Sequence, residues 1–227
     1  MTFWTQTVSD VVDAMRSDAD HFQPKYKAIE ANIRAKRNRA KQLGSLVSYV
    51  RRGSQPEYVP DGDVLVINSQ HVSEHLINID GAARTTMDFW ERKPGSRTRK
   101  FDILLNSTGV GTIGRANCVL HDEKSVVDNH VTVLRVNDPD EMNPLFLAVF
   151  LNSAIGRQQT YKWQSGSSGQ LEIYPNEIKQ FWVPIPAPAV QTDIASQLQS
   201  AHDNARRASA AASAAEAAVV AIVAPTT

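Results

Sequence analysis

Apolar residues recur along this chain with two different periods, and the switch between them divides it into three stretches. In the first, Val8, Val11, Val12 and Met15 fall on one face of a helix over residues 7–17. The run 18–23 interrupts, and Pro24 opens a second helix at the first-turn position that proline favours. Tyr26, Ile29 and Ile33 are its apolar edge, and Gly44 lies just past its expected end near Gln42. The period then falls to two. Segments 46–51, 64–68, 101–107, 114–120 and 131–136 read as strands of a sheet or partial barrel, and 76–80 alternates in the same way. Turn residues at 53–58 and 60–63 and the Pro94-Gly95 pair punctuate them. Asn143-Pro144 starts a helix through about residue 161, with Leu147, Phe150, Leu151 and Ile155 as its buried face. A polar loop at 163–170 follows, then extended segments at 171–174 and 181–185, with a stiff proline linker at 184–188.

The last stretch, 189–223, is rich in alanine and has no glycine. Ile194, Leu198, Ala201, Ala205, Ala208, Ala212, Ala215, Val219 and Ile222 alternate steps of four and three. That is a heptad seam, and it predicts a coiled-coil helix roughly 50 Å long whose small seam residues admit a close partner. The expected class is α+β: N-terminal helices over 1–43, a β-rich domain over 44–187 and a C-terminal coiled-coil dimerisation helix over 188–227.

Composition narrows the function. The 227 residues carry 24 bases and 24 acids, so no global positive field announces a nucleic-acid binder. The charge is patchy, however. Residues 33–41 hold five bases and no acid, and 84–100 hold six bases against Asp88 and Glu91. A local strip suffices to hold phosphate, because fields are screened within about 10 Å. The single Cys118 reads as a small buried residue and fits a reducing cytoplasm, with no secretory signal at the start and no run of ~20 apolar residues.

Four patterns invite a catalytic reading. Gly109-x-Gly111-x-x-Gly114 matches the dinucleotide fingerprint, but that motif needs a following helix, and the residues after it alternate as strands. His71-x-x-Glu74-His75 matches a zinc signature that needs both histidines on one helix, and the segment lies between strand-like runs. Asp61 with Glu91 and Lys93 resembles the acidic-plus-lysine core of metal-dependent nucleases, yet Asp61 sits in a turn and Lys93 precedes Pro94-Gly95. Asn143-Pro144 approaches the adenine-methyltransferase motif and is explained as a helix cap followed by proline. No metal site is expected.

The pieces in order carry a resemblance. They are Asp18-Ala-Asp-His-Phe-Gln-Pro-Lys-Tyr26, Leu43-Gly-Ser-Leu-Val47, the turn 53–58, Val64 through Val72, Asp102-Ile-Leu-Leu105, Gly111-Thr-Ile-Gly-Arg115, Asn143-Pro-Leu-Phe-Leu147, Gly166 through Leu171, and Val183 through Gln191. Together they resemble a target-recognition domain of a type I restriction–modification specificity subunit. The resemblance implies a non-catalytic subunit that reads double-stranded DNA and docks methyltransferase and restriction subunits in the cytoplasm. It implies no cofactor here, S-adenosylmethionine being expected on the partner. A full-length member has two recognition domains, whereas this chain resembles half of one, so a homodimer through the tail is expected, reading a bipartite site.

Side-chain chemistry supplies candidate contacts. Gln55, Tyr58, Asn68, Gln70, Asn106, Ser107, Thr108, Gln164, Ser165, Ser167 and Gln170 are loop residues suited to base edges, with Tyr58 and Trp163 able to stack. Arg51, Arg52, Arg84, Arg97, Arg99, Lys100 and Lys162 are suited to phosphates. The rival readings are a nuclease built on Asp61, Glu91 and Lys93, and a coiled-coil scaffold without DNA affinity.

Overall fold

The computed structural model describes residues 4–35, 39–166 and 169–223. Its helices are α1 Val8–Ala14, α2 Pro24–Ala35, α3 Leu43–Leu46, α4 Met87–Arg92, α5 Pro144–Asn152, α6 Ala154–Trp163, α7 Pro175–Ile178 and α8 Pro188–Val223. Its strands are β1 Arg39–Gln42, β2 Val47–Arg52, β3 Val64–Ile67, β4 Arg84–Thr85, β5 Ile103–Asn106, β6 Ala116–Cys118, β7 Ser125–Val127, β8 Val131–Val136 and β9 Trp182–Ile185.

A four-stranded antiparallel sheet in the order β2-β8-β5-β6 is the centre of the molecule. Both its faces are covered, which is why β5 is apolar almost without interruption. Ile103, Leu105, Leu134 and Val136 turn to one side and pack with Leu147 and Leu151 of α5. Leu104, Val131 and Val133 turn to the other and meet Ile67, Val72 and Ile77. Each such buried side chain contributes about 1.5–3 kcal/mol. A three-stranded sheet, β4-β3-β7, carries α4 through Val64, Val66, Val126 and Phe89. A third ribbon pairs β1 with β9, Arg39 opposite Ile185, and α8 leaves from the end of β9 to pack first on α5.

Several boundaries differ from expectation, each for a local reason. The second helix is described over Pro24–Ala35, and 39–42, expected as its last turn, is a strand paired with β9. Gly44 lies inside α3 rather than after a helix. The helix expected over 143–161 is two helices. Ser153 is extended (φ −61°, ψ 160°), and its side chain accepts from Gly156 N at 3.2 Å to start α6. This break turns Ile155 outward, so it is exposed rather than buried. Segment 76–80 forms only a bridge between Val72 and Ile77, and 171–174 makes bridges at Glu172 before α7. Pro184 belongs to β9 opposite Ala40, a position where a two-stranded ribbon tolerates it. The apolar face of α1 is mostly open: Val8, Val12 and Met15 are exposed and only Val11 is half-buried, and the helix is tied down by Arg16, which donates to the Trp163 and Gln164 carbonyls.

Candidate nucleic-acid interface

The glycine motif is a tight turn between β5 and β6. Gly109, Gly111 and Gly114 all have φ between +80° and +94°, a region L side chains rarely adopt. A Cβ on Gly114 would also lie 2.8 Å from Thr160 Oγ1. Strand β6 follows directly, so no helix N-terminus faces the turn. His71 is equally local. Its Nδ1 accepts from Asn68 N at 3.0 Å within a turn, and burial holds its pKa below the ordinary imidazole value. Asn143 caps α5 by accepting from Leu145 N and Phe146 N. Glu91 lies on α4, Lys93 caps its end and Asp61 sits in a separate turn; all three are exposed. Among the described residues no group of three His, Cys, Asp or Glu is placed to hold a metal ion.

Basic residues do converge. Between the sheet edge at β2 and the turn after α4 lies a cleft of about 420 Å³. Its walls include Tyr49, Arg51, Trp90, Arg97, Arg99 and Arg135, and no acid lines it. Arg97 lies 3.7 Å from the Trp90 ring centre and donates to the Trp90 and Glu91 carbonyls at 2.6 and 2.9 Å. Arg135 lies 4.7 Å from the Tyr49 ring and Arg51 lies 5.8 Å from it. Guanidiniums held over aromatic rings lose little further freedom on meeting a phosphate. Beneath them Asp102, almost fully buried, accepts from Arg135 at 2.7 and 2.6 Å and from Arg99 N at 2.8 Å. Burial pushes that carboxyl above its ordinary pKa, against the pull of Arg135. Three of the seven expected phosphate ligands meet here. Tyr49, Trp90 and Arg135 were not anticipated, because only the pairing of β2 with β8 and the packing of α4 bring them together.

The other basic candidates are engaged elsewhere. Arg52 reaches the Ser107 carbonyl and Glu172, and lies 5.2 Å from the Tyr174 ring. The Tyr174 hydroxyl and Arg52 hold the Glu172 carboxyl below its ordinary value. Arg84 donates to Gly62 O and lies 4.0 Å from Glu123, Lys100 pairs with Asp122, and Lys162 pairs with Glu30 inside the α2–α6 junction.

The base-reading candidates separate by burial. Gln55, Tyr58, Gln70 and Gln170 are exposed, and the loop carrying Gln55 is tied to the cleft wall by Ser54 N donating to Ser96 Oγ at 2.9 Å. Asn68 is half-buried, its side-chain oxygen accepting from Gln70 N, and Gln164 and Ser165 are half-buried beside the Glu172 bridge. Asn106, Ser107 and Thr108 turn inward, contrary to expectation. Asn106 donates to the Ser69 and Val72 carbonyls, Ser107 bonds Thr132, and Thr108 bonds His130 Nδ1. They close the turn rather than meet solvent. Trp163 is half-buried edge-on to His21, and Ser167 lies outside the described residues, as do Lys36 and Arg37 of the basic strip.

The tail seam divides in two. Gln191, Ala195 and His202 are buried against the chain's own head, with Ile194, Leu198 and Ala205 partly covered. Ala201, Ala208, Ala212 and Ala215 are exposed, as are Val219 (61%) and Ile222 (81%). Leu198 and Ala205 therefore border two adjacent edges of α8, one covered by the head and one open.

A family model described as the type I restriction modification DNA specificity domain matches residues 13–208. None of the curated proteins matches the chain. Among solved structures it is similar to the HsdS subunit from Thermoanaerobacter tengcongensis: TM-score 0.50, 12% identity, covering 85% of this chain and 44% of that one. It is also similar to a chain from a structure of type I R-M complex assembly and conformational transition: TM-score 0.53, 16% identity, 87% and 49%. A third is the type IIG restriction endonuclease BpuSI: TM-score 0.55, 10% identity, 86% and 30%. At such identities the likeness is one of fold, and the chain spans less than half the length of each of these three.

Proposed function

Because the chain belongs to the type I restriction–modification DNA specificity domain family, we propose that it reads a DNA sequence for a methyltransferase complex and makes no covalent change itself. The observation that carries this reading is the acid-free arginine cleft. In a protein with balanced charge, four guanidiniums share one groove, three of them against aromatic rings. Phosphate contacts of this kind fix the register of a duplex, while exposed side chains on neighbouring loops, Gln55, Tyr58 and Gln70 foremost, read bases. Titrating a labelled duplex at several salt concentrations tests it. Replacing Arg51, Arg97 and Arg99 with glutamine should lower the steepness of the salt dependence by roughly three. An unchanged slope with intact fold removes the cleft from the interface.

The open edge of α8 supports a twofold dimer. Ala201, Ala208, Ala212, Ala215, Val219 and Ile222 pair with the same edge of a second copy while Leu198 and Ala205 stay on the border. Two heads held a fixed distance apart then read an interrupted, symmetric site. The methyl donor is S-adenosylmethionine on a separate adenine methyltransferase subunit, with a restriction subunit added where the system cuts. Among the described residues no helix is long and apolar enough to cross a membrane, and a cytoplasmic location fits a reader of cellular DNA.

A further inference from the structure

The long helix is fastened to its head at two buried polar points, and the second of them is a histidine. The first point is Gln191, whose side-chain oxygen accepts from Asn143 N at 2.8 Å and whose nitrogen donates to the Glu141 and Pro186 carbonyls at 3.0 Å each. Eleven residues on, His202 is only 5% exposed, and its Nε2 lies 2.8 Å from Asn117 Oδ1. Asn117 is fully buried on β6, the edge strand of the central sheet. Its own orientation is fixed, since Oδ1 also accepts from Cys118 N at 2.8 Å and Nδ2 donates to Ser73 O at 3.1 Å. His202 is therefore the donor in that contact. A buried apolar contact would let α8 slide or rock, whereas this one is directional and has a single satisfied geometry. Ser209 adds an outer contact to Asp80 at 2.9 Å on the same stripe.

We propose that the His202–Asn117 contact is a positioning lock that sets the angle between the reading head and the rod, and through it the spacer between half-sites. Gln191 is the pivot and His202 the lock, about 16 Å apart along the helix. The end of α8 lies about 48 Å beyond the pivot, so a swing of about 10° moves it by roughly 8 Å. At about 3.4 Å per base pair, that is some two base pairs of spacer. Side chains that never approach DNA thus select among sites with identical half-sites. The spacer part rests on the function proposed above; the lock itself does not.

The test uses the full chain. Nitroxides at Glu57→Cys and Ser213→Cys, in labelled chain diluted into unlabelled chain, report the head-to-rod distance without DNA. The native Cys118 is buried, with its thiol pushed up by that burial, and stays unlabelled. His202→Ala should broaden the distance distribution by roughly 6 Å, the same swing read about 33 Å from the pivot, and His202→Gln, which keeps a donor, should restore it. His202→Phe, which fills the space without donating, serves where His202→Ala does not fold and should broaden it equally. In cells, the His202→Ala complex should methylate the same half-sites with spacers one or two base pairs longer and shorter. An unchanged distribution in both donor-less variants overturns the lock whatever the DNA result. Broadening without any methylated motif, in wild type or variant, supports the lock and instead defeats the DNA-reading function.

Discussion

Arg97 and Asn106 show how far single residues can be read. The sequence marks Arg97 as one of several bases near residue 100, and the structure puts it in the cleft, 3.7 Å from the Trp90 ring centre. Nothing in the local pattern distinguishes it from Lys100, which is spent on Asp122. Asn106, Ser107 and Thr108 look like base readers because they are polar and end a strand. They are buried because β5 is covered on both faces, so its polar end must satisfy itself internally. Asp102 is a sharper case. Asp102→Asn removes half of a buried ion pair and should cost about 3 kcal/mol, read as a lower denaturation midpoint at unchanged slope. It also leaves the cleft more positive, so non-specific duplex binding at low salt should tighten despite the lost stability. Histidines set the acid response. Burial holds His21 down to about 4, and His71, His121 and His202 lie below the ordinary value for the same reason. The unfolded chain takes up protons near pH 6.5 while the native imidazoles resist. Stability should hold above that pH and fall as the pH drops toward 4, measured as melting temperature against pH. His202→Gln should make the fall shallower.

At the scale of elements, strong periodicity was legible and its partners were not. The strands at the centre, the glycine turn and the long tail helix all follow from pattern, because a period of two or of 3.5 is imposed by backbone geometry itself. The short elements α4, β4 and β7 were not legible, since two to six residues carry too little pattern. They exist because tertiary contacts support them, such as Phe89 against Val64, Val66 and Val126. The tail seam is the most instructive element. A four-three repeat looks the same whether the covering surface is a second helix or the chain's own head. Here the head takes Gln191, Ile194, Leu198 and His202, and the rest stays open. Removing residues 211–227 should therefore leave the melting temperature of the head unchanged and convert a dimer to a monomer in sedimentation. Leu198→Ala, in contrast, should lower the melting temperature, because it borders the core.

For the whole molecule, the balanced charge gives no sign of DNA, and the proposed interface arises only from assembly of the elements. The central sheet, with a smaller sheet and α4 against it, builds one cationic groove. The rod leaving the far end of the chain is open along one edge, the edge proposed to hold a second head. On the proposed reading, such a molecule specifies where chemistry happens and leaves the chemistry to a partner. The most direct measurement is a genome-wide map of methylated adenines in the native cell with and without this chain. The expected result is the disappearance of one interrupted motif with two inverted halves, and its return when the chain is supplied again. A map identical in both cells would contradict the account.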